Sequence, residues 1–288
     1  MSLTRKGTDM RKHLSLLAAS LAATLALTAC GSDPSPTNGG TAESGGGETS
    51  TIVVGASPVP HAKILEFVRD NLAADAGLRI EIREFDDYVL PNSSLADGTL
   101  DANFFQHLPY LESEEKDKGY DFTHGEGVHI EPYAVFSSKF GSVAEVPDGA
   151  KVAITNDVSN QYRALKLLEK GGLLQNITEG TSALSLTAEQ NPRGLTFEEN
   201  QPEIIVQLKD DPAIDLAVIN GNFILTAGLT TEGALIVEEV AGNPYANVLV
   251  WRTGDAKPGV EKLDELLHSP EVKEYIAKEW PSGDVTPA

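Results

Sequence analysis

A single cysteine, Cys30, occurs in 288 residues, so the chain holds no internal disulfide and no cysteine-rich metal knuckle. Basic side chains are scarce as well, 22 against 43 acidic ones, for a formal charge of −21. A surface of that sign repels nucleic acid and anionic lipid headgroups, and neither is an expected partner. After Cys30 no apolar run reaches the length of a membrane span. The chain has no Gly-x-Ser-x-Gly elbow, no glycine loop that could cradle phosphate and no His-Glu-x-x-His pair. Signatures of serine hydrolases, nucleotide-using enzymes and zinc proteases are therefore missing, and no cofactor is expected. The acid pairs Asp86-Asp87 and Glu198-Glu199 read as solvated surface charge rather than as a general acid and base. Nothing repeats.

The first thirty residues are informative. The basic pair Arg11-Lys12 precedes an apolar stretch from Leu14 that ends in Leu27-Thr28-Ala29-Cys30. A basic start, a secretory-length apolar stretch and small residues before a processing point make residues 1–29 a signal peptide. The last four residues resemble the bacterial lipobox, which implies cleavage before Cys30 and acyl chains, palmitate among them, on the new terminus. An uncleaved anchor or an incidental free thiol is the alternative. Gly31 to Ser50 is nearly all Gly, Ser, Thr, Pro, Asp, Glu and Asn, a composition that stays extended and flexible, so residues 30–50 read as a lipidated tether. The expected location is the extracytoplasmic face of the cell membrane. Residues 1–29 carry four basic residues and one acidic residue, so their removal makes the chain more acidic still, at −24.

From Thr51 onward strand-like and helix-like segments alternate. Thr51–Ala56 is a short buried strand, and His61–Ala74 puts Ile64, Leu65, Val68 and Leu72 on one helical face. Leu78–Phe85 alternates as a strand, Tyr88–Ala96 fits a short helix, and a strand over Asp101–Gln106 leads into a helix over Tyr110–Lys118. A second series follows, with Ile130–Ser137, a strand at Lys151–Thr155, a helix at Val158–Lys170, a strand at Asp215–Asn220 and a helix ending near Gly228. Tyr245–Trp251 reads as a returning strand, and apolar spacing from Val260 to Ile276 marks two closing helices. Repeated βα units predict an α/β protein with mostly parallel sheets, long enough for one large domain or two lobes.

Two segments carry candidate chemistry. In Asp101-Ala-Asn-Phe-Phe-Gln-His-Leu-Pro-Tyr-Leu111 strand alternation would point Phe105 and His107 one way and Phe104 and Gln106 the other, at the strand end where open α/β sheets bind ligands. A core phenylalanine and a helix-capping histidine are the plainer reading. In Thr155-Asn-Asp-Val-Ser-Asn-Gln-Tyr-Arg-Ala-Leu165, Asn156 or Asp157 can cap a helix that carries Asn160 and Arg163 on adjoining turns. An arginine fork there can clamp a carboxylate with two parallel bonds; a solvated arginine is the alternative.

These segments, with Phe85-Asp-Asp-Tyr-Val-Leu-Pro-Asn92, Ala217-Val-Ile-Asn220 and Asn243-Pro-Tyr-Ala-Asn247, resemble in order the methionine-binding lipoprotein family of bacterial ABC importers. The resemblance runs from about Thr51 to the C-terminal helices. It implies a two-lobed periplasmic-binding-protein-like fold with a hinge and a ligand cleft between lobes, lobe 1 being 51–132 plus 246–288 and lobe 2 being 133–245. It further implies L-methionine or a related amino acid as ligand and an ABC permease as partner. By motif position the ligand contacts fall on Tyr88, Phe105, His107, Asn160, Arg163, Asn220 and Asn247. Two aromatic rings suit a thioether, and amide side chains carry both donors and acceptors for an amino acid's head. Val158-Ser159 stands where the family often has Pro-Thr, and Gly221-Asn222-Phe223 where small hydroxylated residues are common; both departures bear on side-chain selectivity.

The competing reading is a zinc- or manganese-binding lipoprotein that would assemble ligands from His61, His107, His124, Glu126 and His129. His124 and His129 lie five apart in what reads as a Gly-rich loop, without a strict ligand spacing. An extracytoplasmic enzyme is the third possibility, and no nucleophile or paired acid supports it.

Overall fold

Ser50–Ala56, rich in β-branched residues, forms β1 and opens a computed structural model that describes residues 49–288. The expected signal peptide, Cys30 and the tether as far as residue 48 lie outside the described residues. After β1 come α1 (Lys63–Asn71), β2 (Leu78–Glu84), α2 (Leu90–Ala96), β3 (Ala102–His107), α3 (Leu108–Lys118) and β4 (Phe122–Ile130). The chain then builds β5 (Ala134–Phe136), β6 (Lys151–Thr155), α4 (Val158–Lys170), β7 (Thr196–Asn200), α5 (Pro202–Leu208), β8 (Leu216–Ile219), α6 (Gly221–Thr226) and β9 (Ile236–Val237). It closes with β10 (Asn247–Arg252), α7 (Pro258–Leu267), α8 (Pro270–Glu279) and β11 (Thr286–Pro287). No helix among the described residues is long and apolar enough to cross a membrane.

Two sheets result. The first has the order β11-β4-β10-β3-β1-β2, the second β7-β6-β8-β5-β9. Strands joined through helices run parallel, β1 with β2 and β3, and β6 with β7 and β8. Strands that arrive from the other sheet do not: β10 is antiparallel to β3 and β4, and β5 is antiparallel to β8. The sheets are thus mixed rather than mostly parallel, because only a helical crossover within one sheet forces parallel pairing.

The segment containing His124 and His129 is not a loop but part of β4. Gly127 there leaves room for a neighbour, since a Cβ on it would lie 2.6 Å from that of Ala246; a glycine that permits close approach looks, in sequence, like a glycine that breaks a strand. Tyr88 precedes α2 instead of starting it. Asp87 Oδ1 accepts from the N–H groups of Val89 and Leu90, and Pro91 sits in the first turn, where its missing N–H costs nothing. The strands β7, β9 and β11 and helix α5 had no counterpart in the sequence reading.

Each sheet has its own core. Ile52, Val54, Phe104 and Leu249 pack against Leu65 of α1, Leu263 of α7 and Ile276 of α8. Val152, Ile154 and Val218 pack against Leu165 and Leu168 of α4, and the opposite face takes Ile205, Phe223 and Ile224. The backbone passes between the sheets through residues 131–133 and returns through 238–246.

Candidate functional site

β3 carries an irregularity where it matters. Val248 pairs with Gln106 and Leu249 with Phe104, so Phe105 is an extra residue, a bulge that breaks strict alternation. Phe104 enters the core, edge-on to His61 and His129. Gln106 does not join it; it bonds to Asn103 and Asn92 in a buried amide cluster, which corrects the expected pairing of Phe104 and Gln106 on one face. Phe105 and His107 are both left on the wall of a cavity.

His107 then does two things. It is the N-cap of α3, its Nδ1 accepting from the Tyr110 N–H at 3.2 Å. That assigns the proton to Nε2, which donates to Asn160 Oδ1 on α4 at 2.9 Å. Burial, with Arg163 nearby, lowers the imidazole to about 3, so it is neutral at ordinary pH. The same Asn160 oxygen accepts from the Tyr133 hydroxyl at 2.5 Å.

Asp157 caps α4 through a 2.8 Å bond from the Asn160 N–H, which orients the helix so that Asn160 and Arg163 are buried together. The Arg163 guanidinium lies between two rings, 4.0 Å from the Tyr133 centroid and 4.3 Å from that of Tyr245. Its Nε and Nη2 donate to the two carboxylate oxygens of Glu238 at 2.9 and 2.5 Å, and Nη2 also reaches the Glu131 carbonyl at 2.9 Å. The two-pronged edge is therefore already engaged, and Nη1 is the part left without a protein acceptor among the described residues.

The third side is amide-rich. Asn220 Nδ2 donates to the Tyr88 hydroxyl at 3.1 Å, and that hydroxyl donates to Asn222 Oδ1 at 2.5 Å. Asn220 Oδ1 and Asn222 Nδ2 are buried without partners. Asn247, the first residue of β10, pairs through Oδ1 with His61 Nε2 at 3.2 Å and lies 3.4 Å from Glu131 Oε1 through Nδ2. Gly221 is dictated by a close approach: a Cβ there would lie 2.5 Å from the Glu131 Cβ and 3.1 Å from the Pro132 carbonyl.

All seven residues expected to contact a ligand, Tyr88, Phe105, His107, Asn160, Arg163, Asn220 and Asn247, line one cavity. Glu131, Tyr133, Tyr110 and Asn222 line it too and were missed. Tyr133 and Glu131 sit in the crossing segment, whose only sequence signal is the Glu-Pro-Tyr that interrupts an apolar run. The residues proposed for a metal do not assemble. Of His61, His107, His124, Glu126 and His129, only His61 and His129 meet, with ring centroids 4.9 Å apart, and the third member of that cluster is Glu131.

Two α/β halves closing on a buried cavity lined by aromatic, amide and guanidinium groups define a substrate-binding protein of the periplasmic-binding-protein type. The chain belongs to the NlpA lipoprotein family, whose model matches residues 52–288. It is 36% identical over 266 residues to the methionine-binding lipoprotein MetQ of Bacillus subtilis, covering 91% of this chain and 93% of that protein. Among solved structures it superposes on a nutrient-binding protein from Burkholderia cenocepacia bound to methionine, with TM-score 0.76 and 37% identity over 82% of this chain and 99% of that one. Lipoprotein Tp32 from Treponema pallidum matches with TM-score 0.77 and 32% identity over 84% of this chain and all of the other.

Proposed function

We propose that the chain is a lipid-anchored extracytoplasmic binding protein that captures L-methionine, or a close derivative, and delivers it to an ABC permease. The observation that carries this reading is the cavity in which Phe105 and Tyr88, ring centroids 5.8 Å apart, stand with Arg163 and the Asn160 and Asn220 amides. The rings would flank the thioether, each sulfur–aromatic contact contributing about 0.3–1.5 kcal/mol. Arg163 would take the carboxylate through Nη1, and Asn220 Oδ1 would accept from the ammonium. His107 and Asn247 complete the contacts. Lobe 1 would be 51–132 with 246–288 and lobe 2 133–245, and the ligand would favour closure by touching both, since only differential affinity shifts such an equilibrium. The chain would hydrolyse nothing; a separate subunit would use ATP. Cys30 would carry the acyl anchor.

Calorimetric titration of ligand-stripped protein tests the proposal. L-methionine should bind and raise the melting temperature, because a ligand bound only to the native state stabilises it by RT ln(1 + [L]/Kd). A protein that ignores methionine and answers zinc or manganese would replace this reading with the metal-binding one.

A further inference from the structure

We infer that Glu131 is the anchor for the ligand's ammonium group, held ready by His61, His129 and Asn247, and that it restricts the site to ligands with a free α-amino group. The inference rests on the amino-acid reading above and adds the residue that selects for the amine.

Glu131 is 5% exposed and is the only acidic side chain on the cavity wall. Its Oε1 accepts from His129 and Asn247 and lies beside His61, whose Nε2–H bonds to Asn247 Oδ1. His129 Nε2 lies 2.7 Å away, His61 Nε2 3.2 Å and Asn247 Nδ2 3.4 Å. The Asn222 backbone N–H also faces the carboxylate. Oε2 has no side-chain donor among the described residues. Oε1 is thus held by side chains while Oε2 is not, and the residue lines the cavity.

The charges around it are unequal to its own. Burial lowers His61 to about 4 and His129 to about 3, so both rings are neutral and donate without neutralising. Arg163, whose Nη2 bonds to the Glu131 backbone carbonyl, is ion-paired with Glu238, and its attraction for the Glu131 carboxylate is outweighed by burial. A buried carboxylate surrounded by neutral donors is held above its usual range by that burial, and a cation brought into the cavity would supply the missing charge. Glu131 and Arg163 meeting at one backbone carbonyl also suits a zwitterion whose two charged groups share one carbon.

A divalent metal fits this cluster less well. Imidazoles that ligate a metal donate their other N–H to an acceptor, and Nδ1 of both His61 and His129 is buried without a partner.

Titration of stripped wild type with L-methionine, with 4-(methylthio)butanoate, which lacks the amine, and with N-acetyl-L-methionine tests the inference without any variant. The two analogues should bind at least about a hundredfold more weakly, the loss expected for an unpaired buried charge. In Glu131→Gln, which keeps the shape but not the charge, the gap should close to within about tenfold. Equal binding of the des-amino analogue by wild type overturns the inference while leaving methionine binding intact, as does a Glu131→Gln protein that discriminates like wild type. A stoichiometric divalent metal present in wild type by elemental analysis and lost from Glu131→Gln would also overturn it. Wild type that binds none of the three compounds would overturn the methionine reading and this inference with it.

Discussion

Arg163 shows how far single residues can be read. Its spacing from Asn160 announced a shared face but left a solvated arginine as the alternative, and the structure puts both residues on one cavity wall. What spacing could not show is that Glu238, 75 positions away, occupies the paired edge of the guanidinium, or that Tyr133 and Tyr245 enclose it. Those partners arrive from the two crossings between the sheets, where no periodicity marks which residues face inward. Arg163→Ala removes the guanidinium and leaves a mostly buried carboxylate unpaired. It is expected to weaken methionine binding by roughly two to three decades and to lower stability by about 3–5 kcal/mol, two effects that titration and urea denaturation separate. Unchanged affinity in a folded variant would remove Arg163 from the ligand's contacts.

Among the elements, those with strong periodicity or clear caps were the legible ones. β6 and α4 lie where the sequence placed them, because a β-branched run and an amphipathic stretch after Asp157 leave little choice. β4 and β7 were lost for opposite reasons. Glycines in β4 imitate a loop, and β7, Thr196–Asn200, is an edge strand whose Glu198 and Glu199 imitate solvated coil. The β3 bulge was invisible as well, since a single unpaired residue changes no composition. At the start of α6 the close approach of Gly221 to the Glu131–Pro132 backbone yields a sharp expectation. Gly221→Ala should cost about 1–3 kcal/mol through forced displacement of the crossing segment, and should weaken ligand binding beyond what that loss of stability explains. A melting temperature and a methionine affinity both equal to wild type would mean that the crossing yields freely.

For the molecule as a whole, burial of neutral histidines predicts a response to acid. His61, His107 and His129 are held at about 4, 3 and 3, below their unfolded value of 6.5. Between those limits the unfolded chain binds protons that the native one refuses, so their contribution is complete above pH 6.5 and is lost as pH falls toward 4 and 3. Carboxyls raised by burial, Glu131 and Asp157 with Glu114, Glu203 and Asp264, work in the opposite sense and make the slope shallower than the histidines alone would give. Stability should fall between pH 7 and pH 5, each histidine contributing up to about 1.4 kcal/mol per pH unit once fully in its window. Denaturant midpoints across that range check the slope, and a flat profile would mean that the imidazoles are solvated. The anchor is tested separately. Cys30→Ser should prevent acylation and processing at this site, read by intact mass of the membrane fraction, and a mutant that stays acylated at mature length would refute the proposed anchor.

The strand order of the six-stranded sheet also sets a schedule for folding during synthesis. β10 lies between β3 and β4, yet it is made more than a hundred residues after either of them. Until it emerges, β3 and β4 have no hydrogen-bonded neighbour on their facing edges, and the sheet cannot close around its core. The five-stranded sheet has no such dependence, since all its strands are made between Ala134 and Val237. A nascent chain therefore carries one half that can fold early and one that must wait for its last strands, at the entropic cost of closing a long loop. That delay means that a ribosome stalling shortly before Asn247 would release a product with open sheet edges, the kind of surface that aggregates or is degraded.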